Sequence, residues 1–104
     1  MFRLFRSEWY ESKLNKLSKL EIDRVSKFEQ SLKESPFSGK PLGYPFLRQK
    51  KFDGKRLIFL VYEEHKCIFL VTITDKKIQQ EVIDLIKANL DIYKEDIEKL
   101  IKGL

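Results

Sequence analysis

The stretch RQKKFDGKRLIFLVY, residues 48–62, contains the signals that decide the fold. Asp53 and Gly54 form one of the strongest short signals for a tight β-hairpin, because both accept the left-handed backbone that a two-residue turn needs. Residues 46–52, before the turn, are predicted to form a basic edge strand. Residues 56–63, after it, are apolar at both odd and even positions. This pattern predicts a central strand that is covered on both faces.

A third strand and a final helix are predicted downstream of the hairpin. Residues 64–66 are expected to form a turn, and residues 67–74 are again mostly apolar. Asp75, Lys76 and Lys77 end this strand. From Ile78 onward, apolar residues recur at helical spacing to near the end of the chain. We predict one helix of about 25 residues, which is long for so small a domain and whose last turns would overhang the core.

Upstream of the hairpin the sequence predicts a short strand at residues 2–6 and two helices. Ser7 is a good N-cap for the first helix. Ser18 and Glu21 form a capping box, which opens the second helix. That helix carries an apolar stripe of four residues, namely Ile22, Val25, Phe28 and Leu32. Residues 35–46 contain all three prolines and are predicted to be a loop.

The order of elements is therefore strand, helix, helix, strand, strand, strand, helix. It predicts a single α+β domain over residues 1–104. Its expected parts are an antiparallel sheet, an N-terminal helical hairpin and a long C-terminal helix.

The charge of the chain is concentrated at the hairpin. There are 21 Lys and Arg against 16 Asp and Glu, giving a formal net charge of +5. Residues 48–56 alone contain five basic residues and one acid. A basic balance favours acidic partners such as nucleic acid, although lysines that only keep an edge strand soluble give the same charge.

The composition also limits the classes of protein that the chain can belong to. The single cysteine, Cys67, permits no disulfide within the chain and favours a reducing cytoplasm. The longest apolar run, LIFLVY, is too short to cross a bilayer, so we expect no membrane association. One histidine and one cysteine without a spaced carboxylate cluster cannot supply the usual zinc site, so we expect no metal and no cofactor.

The chemistry that remains is cationic. The candidate residues come from two strands and from the end of a third: Arg48, Lys50, Lys51, Lys55, Arg56, Lys76 and Lys77. Side chains alternate along a strand, so Arg48 and Lys50 should share one face, with Lys51 on the other. Because the strands of a meander are neighbours, two to four of these cations could converge on a patch that holds phosphates.

The order of elements and three segments together resemble the RelE/ParE superfamily of toxins from type II toxin–antitoxin systems. The segments are PFSGKPLGYPF before the sheet, GKRLIFLVYEE at the hairpin and FLVTITDKK before the last helix. The resemblance implies a small cytoplasmic toxin with a RelE-like fold, which a cognate antitoxin holds inactive. RelE-like members are endoribonucleases that cut mRNA in the ribosomal A site and so inhibit translation. ParE-like members share the fold, inhibit DNA gyrase and cut no RNA.

The resemblance also implies roles for individual residues. Arg56 matches the family's arginine just after the hairpin glycine and would bind phosphate or stabilise the transition state. Lys77 matches the basic residue at the end of the last strand, and Lys51 matches one cation of the basic strand. These three would be catalytic. RNA contacts would come from four further residues, which are Arg48, Lys50, Lys55 and Lys76.

Two features of the sequence leave the activity open. By simple counting, the family's other strand cations fall on Leu47 and Gln49, whereas a one-residue bulge would bring Arg48 and Lys50 to those places. Ile83 stands where RelE-type enzymes often have a tyrosine, which removes a stacking group and a proton donor.

Three functions are compatible with these features. They are a ribosome-dependent mRNA endoribonuclease, a ParE-like gyrase inhibitor, and a degenerate RNA- or protein-binding member of the fold. The first would have mRNA and the ribosome as partners. All three predict a protein partner, and we expect an antitoxin segment to cover apolar surface near the basic patch.

Overall fold

The computed structural model describes residues 1–103, so Leu104, the last residue of the predicted domain, lies outside the described residues. The elements are, in chain order, β1 (Arg3–Arg6), α1 (Glu8–Leu14), α2 (Lys19–Glu34), β2 (Lys40–Pro41), β3 (Leu47–Phe52), β4 (Lys55–Tyr62), a 3₁₀ turn (Glu63–His65), β5 (Cys67–Asp75), α3 (Gln79–Ala88) and α4 (Leu90–Lys102). The predicted α+β class and the order of its main elements are confirmed. None of the helices within residues 1–103 is long and apolar enough to span a membrane.

The strands lie in one sheet in the order β1-β5-β4-β3-β2. The meander β3-β4-β5 is antiparallel, as predicted. The prediction of an antiparallel sheet is wrong at one edge, where β1 runs parallel to β5. The helices α1 and α2 carry the chain from β1 to β2 at the opposite edge of the sheet, and the meander then returns it to β5 beside β1. The predicted loop also contains a short strand, β2, which pairs antiparallel with β3.

The hairpin forms as its sequence predicts. Phe52 pairs with Lys55, so the turn consists of Asp53 and Gly54 alone. Their φ angles of 46° and 76° place both in the left-handed region, which is the requirement of this turn class.

The register of β3 settles the question of the bulge. β3 pairs one-to-one with β4, from Leu47 opposite Leu60 to Phe52 opposite Lys55. The register shift lies instead between β4 and β5, where Ile58 pairs with Thr72 but Phe59 pairs with Leu70. β3 therefore contains no bulge against β4, and the alternative in which a bulge in this strand moves Arg48 and Lys50 is wrong.

Apolar side chains pack on both faces of the sheet, which confirms β4 as a central strand. On one face, α1 and α2 cover Leu57, Phe59 and Val61 of β4. On the other, α3 and α4 cover Ile58 and Leu60. We call these the α2 face and the α3 face.

The capping box of α2 is present, because Ser18 Oγ accepts from the Glu21 N–H and the Glu21 carboxylate accepts from the Ser18 N–H.

The prediction of one long C-terminal helix is wrong. Asn89 separates α3 from α4 with φ −120° and ψ 20°, and its Nδ2 donates to the Leu85 carbonyl at 2.8 Å. An asparagine side chain that competes for backbone groups disfavours a helix interior. The break returns α4 to the sheet, where Ile97 is fully buried rather than overhanging the core.

Candidate functional site

A row of three side chains crosses the sheet next to the hairpin turn. Lys51 of β3 pairs with Arg56 of β4, and Arg56 pairs with Thr74 of β5. Residues that are directly opposite across strands point to the same face. All three therefore lie on the α3 face. We call them the cation row, in which Lys51 is exposed while Arg56 and Thr74 are buried.

Arg56 is the unusual member of this row. Its side chain is only 8% exposed, and its Nε has no hydrogen-bond partner among residues 1–103. Its one hydrogen bond runs from Nη1 to the Lys55 carbonyl at 3.5 Å, the limit of such a bond. None of the ion pairs within the described part of the chain includes it. A buried, unpaired cation is costly, and an anion with several oxygens would satisfy it.

The next row of side chains inward connects the site to α3. Gln79, in the first turn of α3, donates from Nε2 to Oε1 of Gln49 at 2.6 Å. Gln49 is only 3% exposed, and it lies on the same face as Lys51. This contact fixes the start of α3 beside the cation row. Sequence reasoning did not identify it, because two glutamines 30 positions apart give no local signal.

The turn after β5 brings two further lysines to the same end of the sheet. The Asp75 carboxylate accepts from the backbone N–H groups of Lys77 and Ile78 at 2.9 and 3.2 Å. This turn ends the strand directly after the cation row. The side chains of Lys76 and Lys77 are exposed, and no ion pair within residues 1–103 includes them. The row is thus continued beyond β5 by positive charge.

The other predicted cations belong to the α2 face. The Arg48 guanidinium donates to the carbonyls of Pro45, Ser38 and Gly39 at 2.9, 3.0 and 3.1 Å, and so holds the loop before β3. Lys50 lies over the ring of Phe28 in α2, with Nζ 5.6 Å from the ring centre. The predicted separation of Arg48 and Lys50 from Lys51 is confirmed.

Lys55 also faces α2, where it binds Glu21. The hydrogen bond from Lys55, together with the backbone N–H of Ser18, lowers the pKa of Glu21 from 4.5 to about 2. Glu21 therefore stays ionised and keeps Lys55 on α2 at neutral pH. The side chains of Lys55 and Arg56 therefore lie on opposite faces of the sheet, although the two residues are adjacent in sequence.

The position of the expected tyrosine is part of the core. Ile83 is 5% exposed and packs with Val82 and Ile86 against the α3 face of the sheet. Tyr93 does not replace it, since its ring lies 6.0 Å from that of Phe69, near the opposite end of β5 from Thr74. Neither residue brings a hydroxyl to the cation row.

Comparisons with known proteins give matches by structure alone. No protein-family model and no curated protein sequence matches the chain. The isolated RelE toxin of E. coli matches with a TM-score of 0.66 and 22% identity, over 83% of this chain and 99% of that chain. The RelBE2 toxin–antitoxin complex of Mycobacterium tuberculosis matches with a TM-score of 0.63 and 19% identity, over 72% and 98% of the two chains. The RelE–RelB complex of Pyrococcus horikoshii matches with a TM-score of 0.63 and 19% identity, over 72% and 94%.

Proposed function

Because the chain has the fold of the RelE toxins, we propose that it is the toxin of a type II toxin–antitoxin system and a RelE-like, ribosome-dependent mRNA endoribonuclease. The observation that supports this best is Arg56, a buried guanidinium that no acid among residues 1–103 neutralises. The proposal treats residues 1–104 as one toxin domain, and the lack of a possible internal disulfide favours the cytoplasm as its compartment.

The proposed reaction is cleavage of RNA by its own 2′-hydroxyl. A bond forms between the 2′-oxygen and phosphorus, and the bond from phosphorus to the 5′-oxygen of the next nucleotide breaks. One proton leaves the 2′-oxygen and one reaches the 5′-oxygen, so the products are a 2′,3′-cyclic phosphate and a 5′-hydroxyl. This reaction needs no further reactant.

The residues of the cation row suit different parts of this reaction. Arg56 binds the scissile phosphate, because its buried fork of N–H donors stabilises the charge that builds on the phosphoryl oxygens. Lys51, opposite Arg56 and exposed, orients the phosphate through its positive charge. Lys77 acts from beyond β5, with Lys76 as a contact to the neighbouring phosphate.

A cognate antitoxin is the proposed protein partner. Solved structures of the same fold include RelE–RelB complexes. In this chain, a basic site without acid partners among residues 1–103 lies beside Ile78, an exposed apolar residue, and α3 exposes Leu85 farther along. An acidic segment with apolar anchors would cover both kinds of surface. A neighbouring reading frame for a small acidic protein, and its co-purification with this chain, would test the partner.

Translating ribosomes with a defined mRNA test the activity. The wild-type chain should produce new mRNA ends inside the coding region, and Arg56→Ala should produce none. Arg24→Ala is the matched control, because it removes the same charge from α2, where Arg24 pairs with Asp53 of the hairpin turn. Absence of new ends with the wild-type chain would reject the nuclease.

A second candidate function is supported by Ile83. A buried isoleucine at this position leaves the row without the expected aromatic group, which favours a ParE-like inhibitor of DNA gyrase. Inhibition of gyrase supercoiling without any RNA cut would establish this function. If the purified chain neither cuts RNA nor affects gyrase, the remaining proposal is a degenerate member of the fold that only binds RNA or protein.

A further inference from the structure

A basic groove of about 320 Å³ runs along the edge of the sheet where β2 meets β3. It is lined by Gly39, Lys40, Gln49, Lys50 and Lys51. Three of these five residues are lysines, and none of the ion pairs within residues 1–103 includes them. Because Lys51 also belongs to the cation row, the groove continues the proposed active site toward the edge of the sheet.

The backbone of this groove is held in place by specific contacts. Gly39 has a φ of 79°, and a Cβ at this position would lie 2.3 Å from the Gln49 carbonyl oxygen. Only glycine combines this conformation with such a close approach. The Arg48 guanidinium also donates to the Gly39 carbonyl at 3.1 Å. These contacts fix the backbone of the groove against β3.

The register places Lys40 on the same face of the sheet as the cation row, one row inward. Lys40 pairs with Gln49, so both point to the α3 face, together with Lys51. With strands about 4.8 Å apart and a rise of about 3.4 Å per residue, the Cα of Lys40 lies about 8 Å from that of Lys51. Arg56 lies about 5 Å from Lys51 on the other side.

We propose that this groove is a second phosphate-binding site, in which Lys40 holds the backbone of single-stranded RNA beyond the nucleotides bound at Arg56 and Lys51. The inference rests on the proposed function, since it assumes that RNA binds the cation row. The lining favours RNA over a protein segment, because it includes no apolar or aromatic residue that would anchor a polypeptide.

The test compares the full-length wild-type chain with Lys40→Ala and with Lys27→Ala. Lys27 is an exposed lysine of α2, which packs on the opposite face of the sheet from Lys40, and its variant carries the same net charge as Lys40→Ala. Binding to an oligouridylate octamer is measured by fluorescence anisotropy over a series of salt concentrations. Each phosphate contact on a single strand contributes about 0.7 to the slope of log affinity against log salt.

We expect Lys40→Ala to weaken octamer binding and to lower the salt slope by about 0.7, while Lys27→Ala behaves like the wild type. NMR titration provides the second measurement. The amide signals of Gly39 and Lys40 should shift with the octamer, whereas a dinucleotide, which reaches only Arg56 and Lys51, should leave them in place.

The outcomes separate this inference from the proposed function. If Lys40→Ala keeps the wild-type slope while Arg56→Ala lowers it, the groove proposal is overturned and the proposed function stands. If the wild-type chain shows no salt-dependent RNA binding, both fail. If loss of Lys40 weakens binding of an acidic partner protein but not of RNA, the groove is a protein contact and the inference is wrong.

Discussion

Replacement of Arg56 by methionine should stabilise the protein while it abolishes function. Methionine keeps the length of the aliphatic stem and removes a guanidinium that is 8% exposed and whose Nε has no partner among residues 1–103. An unsatisfied buried donor costs about 1–3 kcal/mol. The bond that is lost, from Nη1 to the Lys55 carbonyl, is 3.5 Å long and contributes less than a normal hydrogen bond of about 1 kcal/mol.

The expected net gain is about 1 kcal/mol in the free energy of unfolding, which raises Tm by roughly 4–8 °C in a domain of this size. Urea denaturation should show a higher midpoint with an unchanged m value. Arg24→Met is the control, since Arg24 is more than half exposed and its change should stay within about 0.5 kcal/mol.

A ligand measurement completes the argument about Arg56. Inorganic phosphate should raise the Tm of the wild-type chain, because a ligand that binds only the folded state stabilises it. The same phosphate should have little effect on Arg56→Met. If Arg56→Met is destabilised by more than about 1 kcal/mol, the arginine is part of the structural framework and its assignment as an anion-binding residue is refuted.

Three further changes test individual contacts that hold the fold together. Glu21→Gln should lower the free energy of unfolding at neutral pH, because the Glu21 carboxylate stabilises the fold only while it is ionised beside Lys55. Since its pKa is lowered from 4.5 to about 2, the difference from the wild type should vanish as the pH falls through this range, which urea denaturation at a series of pH values measures. Gly39→Ala should cost roughly 1–3 kcal/mol and release β2, seen as faster amide hydrogen exchange there, because its Cβ would meet the Gln49 carbonyl. Glu29→Gln should cost roughly 2 kcal/mol in thermal melts, since it weakens a buried carboxylate that accepts from an arginine and a tyrosine; an unchanged Tm would contradict this.

Local chemistry in the sequence was enough to predict the centre of the fold. The Asp53-Gly54 turn and the Ser18 capping box each depend on residues at most three positions apart, and both are present as predicted. Alternation along β3 also predicted correctly that Lys51 faces away from Arg48 and Lys50. These features need no knowledge of the rest of the chain.

Contacts between distant segments explain what the sequence could not predict. The parallel pairing of β1 depends on where α1 and α2 return the chain to the sheet, and hydrophobic periodicity carries no information about this. The helical stripe continues through Asn89, so periodicity alone missed a break that one side-chain hydrogen bond marks. Charge counting treated seven cations alike, whereas the partners of Arg48 and Lys55 are loop carbonyls and an acid on α2.

The most direct test of the account is the single-turnover rate of mRNA cleavage on programmed ribosomes. Removal of one donor that stabilises a developing charge typically slows such a step by about 10²–10³-fold. The account predicts a loss of this size or larger for Arg56→Ala and a wild-type rate for Arg24→Ala. Equal rates for the wild type and Arg56→Ala, or no cleavage by the wild type, would contradict the claim that Arg56 binds the scissile phosphate.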